Sequence, residues 1–414
     1  MPTIYDNDTR ADLERVYAPV FEEFTGTFSP DGLIAEARAA TGLADLGGEA
    51  MHEPGFLTRL TALCNALETE ANLTALGRTR AHCRLLAMVI SRLRIVDYVR
   101  QSPDLPAIRA PLVGTGMPRS GTSFFQALLA QDPGNLVPRT GQGIVPIPPL
   151  GVLSEEQARL DLTWKMLQFH GFDSDEVNAI HPFAPDAEDE DVLFQEAACC
   201  ALFSGFYNVP SYVPVQQAGY AEQIAWQKQL MQLIQANHPS KRWVLKAPEY
   251  VTKLDEVLEH YPDAMIFVNH RDPARTIASI ASLYITFQSV NSDFSVPGEY
   301  LGPPLLKGQA ASIDALEKWR EAHPQVKIVD VHYKGLVADP VDTAETVYGA
   351  FGLDLSAEAR SAMTHWLAER NRHGQAQSGV KHSYSLEDFG LSEDMVEEAF
   401  GGYLNRYDIE RERR

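Results

Sequence analysis

The chain has 414 residues, with 45% apolar and 22% charged side chains, which suits a folded chain with a large core rather than a disordered one. Its net charge of −21, from 56 acidic against 35 basic residues, excludes a nucleic acid as the expected partner, because such binding rests on a basic surface. A single small phosphorylated ligand stays compatible, since it needs only a local group of cations.

The N-terminus, "MPTIYDNDTRADLERVYAPV", has neither the basic head nor the apolar stretch of a secretory signal, and no run reaches the length of an integral membrane span. The expectation is a cytoplasmic protein. From residue 31 to about 104 the pattern is helical. "GFLTRLTALCNALETEANLTALG" and "AHCRLLAMVISRLRIVDYVRQ" space their apolar residues as helices do, and Gly77 is expected between the two. Arg78, Arg80, Arg84, Arg92, Arg94 and Arg100 read as a solvated polar face along the second. Residues 1–104 are therefore taken as an N-terminal helical cap.

From about 105 short apolar runs alternate with helical stretches, an α/β pattern. Candidate strands are 110–115, 242–247, 264–270 and 326–333. Each has a continuous apolar centre, as where both faces of a parallel sheet are buried. A helical insertion, about 140–240, separates the first two, and in it Ile224, Leu230 and Ile234 share one face of a helix. The expected fold is a parallel sheet flanked by helices, of the P-loop nucleotide-binding type, spanning 105–414. Cys64, Cys83, Cys199 and Cys200 lack metal-ligand spacing and read as small buried hydrophobes.

The chemistry concentrates at the expected carboxyl ends of the strands. "GTGMPRSGTSFFQALLAQDP" is a strand, a glycine-rich turn and a helix start. Gly116 to Ser123 fits the phosphate-loop template G-x4-G-K-[ST] except at its lysine, where Thr122 stands. Free N–H groups at a helix start, with the helix dipole behind them, can hold an anion without that lysine. Ser120, Thr122 and Ser123 add hydroxyls, Gly121 allows the turn, and Arg119 supplies a cation. Further on, "VNHRDPARTIASIASLY" sets Arg271 after a strand and Ser279 two turns into the following helix, a guanidinium and a hydroxyl able to clamp a second phosphate. Lys246 ends another strand and Tyr333 a fourth.

In combination these segments resemble the P-loop sulfotransferases that use 3′-phosphoadenosine-5′-phosphosulfate (PAPS), in particular the bacterial type with an N-terminal helical region. The resemblance runs through "ATGLADLG", "WVLKAPEYVTKLDEVLEHYPDAMIFVNHRDPARTIAS", "VHYKGLVADPVDTAETVYGAFGL" and "KHSYSLEDFGL". It implies that the Arg119–Ser123 loop binds the 5′-phosphosulfate, Arg271 and Ser279 the 3′-phosphate, and Tyr333 the adenine side. Lys381 and His382 would belong to a segment closing over the nucleotide. Arg119 and Lys246 would stabilise the departing 5′-phosphate electrostatically, with no metal, and 3′,5′-bisphosphoadenosine (PAP) would be the product.

A base for the acceptor hydroxyl is also implied. Where the family often carries a histidine after K-x-P, this chain has Tyr250, with Glu249 beside it. "IHPFAPDAEDEDVLF" resembles a His-then-acidic segment of the bacterial type, which makes Glu190 the first candidate and His181 the second. Gly141-Gln142 stands where relatives tend to have Trp-Glu, a departure that bears on the acceptor. The acceptor class implied is a small-molecule or lipid alcohol or phenol, while the oligomeric state is not legible. Two other readings remain at this point: an ATP-dependent small-molecule kinase, against which the missing loop lysine weighs, and a non-catalytic protein that binds a phosphonucleotide.

Overall fold

A computed structural model describes residues 9–102, 104–147, 153–200, 203–239, 241–293, 296–376 and 385–412. The chain divides into two compact units. One gathers residues 1–108, 138–239 and 286–295, and the other 109–137, 240–285 and 296–414. Among the described residues no helix is long and apolar enough to cross a membrane.

The first unit is helical. Its principal helices are Pro30–Thr41, Phe56–Thr69, Ala75–Arg100, Leu153–Phe169 and Tyr220–Gln235. Ile224, Leu230 and Ile234 are buried together on the last of these. All four cysteines are buried free thiols, and burial pushes Cys64, Cys83 and Cys199 up to about 12.

Two readings of this region need correction. Gly77 does not separate two helices. It sits in the first turn of Ala75–Arg100, where its N–H donates to the Thr74 side chain at 2.8 Å. A Cβ there would lie 1.8 Å from the Asn291 carbonyl oxygen, so the glycine marks a close approach of two backbones and not a break.

Most arginines of that helix are not a solvated face either, although Arg100 at its end is exposed. Arg92 is fully buried, paired with the buried Glu53 carboxylate at 2.9 Å, with its guanidinium over the rings of Phe56 and Trp226 at 4.0 and 4.4 Å. Burial pulls Arg92 down to about 9. Arg84 makes a bidentate pair with Glu196 at 2.7 and 2.9 Å. Arg80 donates to the Phe169 and Val290 carbonyls. The helix is covered on most sides, so the partners that accept these charges come from segments remote in sequence.

The second unit is built on five parallel strands: β1 (Leu112–Gly116), β2 (Asn135–Leu136), β3 (Arg242–Lys246), β4 (Met265–His270) and β5 (Ile328–His332), in the order β2-β3-β1-β4-β5. β1 and β4 are buried along their whole length, which explains their unbroken apolar runs. β5 is half exposed, because an edge strand is paired on one side only, and Tyr333 already opens the helix that follows. β2, two residues long, escaped the sequence reading because it is too short to carry a period.

Leu112, Phe125, Leu128, Leu129, Val244 and Phe267 form one apolar cluster of this unit. Met117, Ile277, Ala281, Ile313 and Phe400 belong to another. From β1 the chain moves to the β2/β3 side, and then crosses to β4 and β5 on the other. The connections therefore diverge between β1 and β4, which is where open parallel sheets hold ligands.

Candidate functional site

The turn after β1 is shaped by three residues with positive φ: Gly116 (141°), Arg119 (69°) and Gly121 (91°). Gly116 is opposite Asn269 in the β1/β4 register, and a Cβ on it would come within 2.5 Å of the Asn269 carbonyl oxygen. Gly121 precedes the helix Thr122–Leu129, and a Cβ there would lie 2.9 Å from the Tyr333 ring. Arg119 is held in the left-handed region without being glycine, a conformation that costs of order 1–3 kcal/mol and recurs at ligand sites.

The side chains around the turn interlock. Arg119 Nε donates to Ser279 Oγ at 3.0 Å, and Arg271 Nη1 donates to the Arg119 carbonyl at 2.9 Å. The Arg271 guanidinium lies over the Tyr333 ring at 3.8 Å. Lys246, only 2% exposed at the end of β3, donates to Ser123 Oγ at 3.2 Å. The structure thus brings Arg119, Ser123, Lys246, Arg271, Ser279 and Tyr333 into one connected set, with Ser120, Gly121 and Thr122 in the turn between them.

Two buried polar side chains at this edge have no hydrogen-bond partner among the described residues: the Ser120 hydroxyl and the Asn269 amide. Together with the N–H groups that a helix start leaves without intrahelical acceptors, they give the turn a capacity for hydrogen bonding. Asn269 was missed in the sequence, although it stands two residues before Arg271 on the face of β4 that also carries Phe267.

The same edge carries a braced ion network. His270 bonds Asp330 at 2.8 Å and the Tyr403 hydroxyl at 3.0 Å, while Arg320 grips Asp330 bidentately at 2.7 and 2.9 Å. These hydrogen bonds hold the Asp330 carboxyl far below its ordinary range even though burial opposes the charge. The pairing ties the ends of β4 and β5, from which Arg271 and Tyr333 follow directly.

The remaining sequence-predicted residues are spread over both units. Lys381 and His382 fall outside the described residues. His181 and Glu190 belong to the first unit. His181 caps the helix Asp175–Ile180, its ring 4.6 Å from that of Phe183. Glu190 precedes the 3-10 helix Asp191–Ala198, its N–H bonded to Asp189 Oδ1 at 2.8 Å. Glu249 and Tyr250 sit in the 3-10 turn after β3, with Tyr250 buried. Gln142 accepts from the Arg139 N–H at 3.1 Å and so caps the helix Thr140–Ile144.

At its switch point the parallel sheet thus joins a lysine-free glycine turn to the Arg271–Ser279 element. The chain matches the model of the sulfotransferase family over residues 111–357, more than half its length, and belongs to that family. It is similar to the crystal structure of sulfotransferase STF1 from Mycobacterium tuberculosis H37Rv: 28% identity over 91% of this chain and 99% of that one, with a TM-score of 0.77. Sulfotransferase STF9 from Mycobacterium avium shares the fold at a TM-score of 0.81 and 23% identity, over 95% of this chain and 100% of that one. No curated protein matches the chain. The protein is an enzyme that transfers a sulfuryl group.

Proposed function

We propose that the sulfuryl donor is PAPS and the acceptor a hydroxyl of a small molecule or lipid. The observation that carries this reading is the physical continuity of the two anion elements: Arg119 reaches from the turn to Ser279, and Arg271 bonds back to the Arg119 carbonyl. A ligand with phosphates at both ends of one nucleoside calls for two such elements held at a fixed spacing. The Ser120 hydroxyl, buried in the turn with no partner among the described residues, fits a phosphate oxygen as its acceptor.

In this reading the turn N–H groups, Ser120, Thr122 and Ser123 hold the 5′ end, and Arg271 with Ser279 holds the 3′-phosphate. Tyr333, stacked under Arg271, flanks the adenine side. In the transfer, the acceptor oxygen forms a bond to sulfur while the bond from sulfur to the 5′-phosphate oxygen breaks. Charge then collects on that oxygen, and Arg119 and Lys246 neutralise it. A prearranged cation of this kind is worth roughly 3–4 kcal/mol of barrier. The acceptor proton passes to a general base, for which Glu190 is proposed, with His181 second and Glu249 or Tyr250 in reserve.

The first unit holds an aromatic cluster of the kind that suits apolar or phenolic ligands. Phe206 and Phe287 stack at 4.7 Å, Phe172 and Phe183 at 4.9 Å, and His181 adjoins Phe183. The unpaired state of the four cysteines supports a reducing, cytoplasmic location.

The deciding experiment is calorimetric titration with 3′,5′-bisphosphoadenosine, 5′-AMP and Mg-ATP. Tight binding that depends on the 3′-phosphate is the expected result. A preference for Mg-ATP overturns the donor assignment.

A further inference from the structure

The Arg271 guanidinium is engaged by a carboxylate that the sequence reading did not anticipate. Glu412, in the last residues of the chain, takes its Nε and Nη2 edge in a bidentate pair at 2.7 and 2.9 Å. The third nitrogen bonds the Arg119 carbonyl and the face covers Tyr333. A carboxylate is the closest mimic of a phosphate edge that a protein chain carries, since both accept two parallel N–H bonds from an arginine fork.

The carboxylate is delivered by a backbone that is anchored independently of it. The Glu412 N–H donates to Asp272 Oδ2 at 2.8 Å, Arg275 Nε donates to the Glu412 carbonyl at 2.8 Å, and Arg411 pairs with Asp272 at 3.1 Å. The side chain alone can therefore leave Arg271 while the strap stays docked. The pair is also accessible, with the two side chains 21% and 34% exposed, so an incoming anion can reach it and solvent keeps it weak.

We propose that Glu412 is an internal counter-anion that competes with the donor's 3′-phosphate for Arg271. By reclaiming the guanidinium it shortens the stay of the bisphosphate product. This rests on the assignment of Arg271 to the 3′-phosphate given above. A phosphate near −2 outbids a carboxylate of −1 for the fork. The ligand's apparent affinity is nevertheless reduced by the fraction of molecules in which the pair is closed.

The test uses the full-length protein and 3′,5′-bisphosphoadenosine, with calorimetry for affinity and stopped flow for dissociation. Glu412→Gln keeps the backbone anchors and removes the charge. It is expected to tighten binding about two- to fivefold, the range set by an exposed ion pair, mainly through slower dissociation. Affinity for 5′-AMP, which has no 3′-phosphate to compete, should not change. In an Arg271→Ala background the Glu412→Gln effect should vanish.

If Arg271→Ala weakens binding but Glu412→Gln leaves it unchanged or weaker, Glu412 is not a competitor and the inference fails while the site assignment stands. If Arg271→Ala itself leaves affinity for the bisphosphate intact, the assignment of Arg271 fails and the inference falls with it. Melting temperatures of the variants near that of the parent keep either result interpretable.

Discussion

Gly121→Ala tests the geometry of the turn most directly. At φ 91° an L-residue pays about 1–2 kcal/mol for a conformation glycine adopts freely. The new methyl would lie 2.9 and 3.2 Å from two carbons of the Tyr333 ring and 3.4 Å from Leu336 Cδ2. That ring cannot simply move aside, because the Arg271 guanidinium rests on it at 3.8 Å. The overlap adds about 1 kcal/mol, at the low end of overpacking costs. A total of about 2–3 kcal/mol corresponds to a melting temperature lower by roughly 4–12 °C for a unit of this size.

The same displacement tilts the N–H groups of the turn and disturbs Arg271, so affinity for 3′,5′-bisphosphoadenosine should fall at least about tenfold, the equivalent of ~1.4 kcal/mol. Calorimetry and a thermal melt read both effects. A Gly121→Ala protein with parental melting temperature and affinity would refute the argument that the glycine is required by the turn and by its approach to Tyr333.

Gly77→Ala should destabilise the first unit by about 2 kcal/mol or more, since a methyl 1.8 Å from the Asn291 carbonyl forces two backbones apart. Gly308→Ala, in the interior of the helix Gly298–Ala322 with nothing within 4 Å, should instead stabilise by about 0.5–1 kcal/mol. Urea titrations of the two variants with unequal signs are the expected outcome.

His170 supplies a pH dependence. Burial, with Arg84 and Arg80 adding repulsion, pulls it down to about 3, so the folded chain keeps it neutral while the unfolded chain protonates it below about 6.5. Its contribution is whole above pH 6.5 and is lost as the pH falls toward 3, about 2 kcal/mol by pH 5. His170→Phe should flatten the stability profile between pH 7.5 and 5, and an unchanged slope refutes it. Glu190→Gln should abolish sulfuryl transfer while leaving affinity for the bisphosphate intact. Full turnover moves the base to His181, Glu249 or Tyr250.

Much of the sulfuryl-transfer side was legible because its signals are local. A strand buried on both faces must be apolar throughout, and β1, β3 and β4 announced themselves that way. Backbone at φ 141° and 91° favours glycine at fixed offsets, and Gly116 and Gly121 stand there, whereas Arg119 at 69° carried no such signal. The run from β4 through Arg271 to Ser279 is likewise one continuous strand and helix, so its spacing could be read directly.

What tertiary structure alone decided depends on partners distant along the chain. Arg92 reads as a surface residue until Glu53, Phe56 and Trp226 are folded around it. Gly77 reads as a helix break until the Asn291 carbonyl is set against it. Glu412 carries no signal of its own, being one charge in a terminal charged run, and acquires meaning only when the chain returns its end to Arg271. Backbone conformation and two-sided burial leave their mark on neighbouring residues. The pairing of a charge is settled by whichever segment folding brings beside it, and no local pattern records that choice.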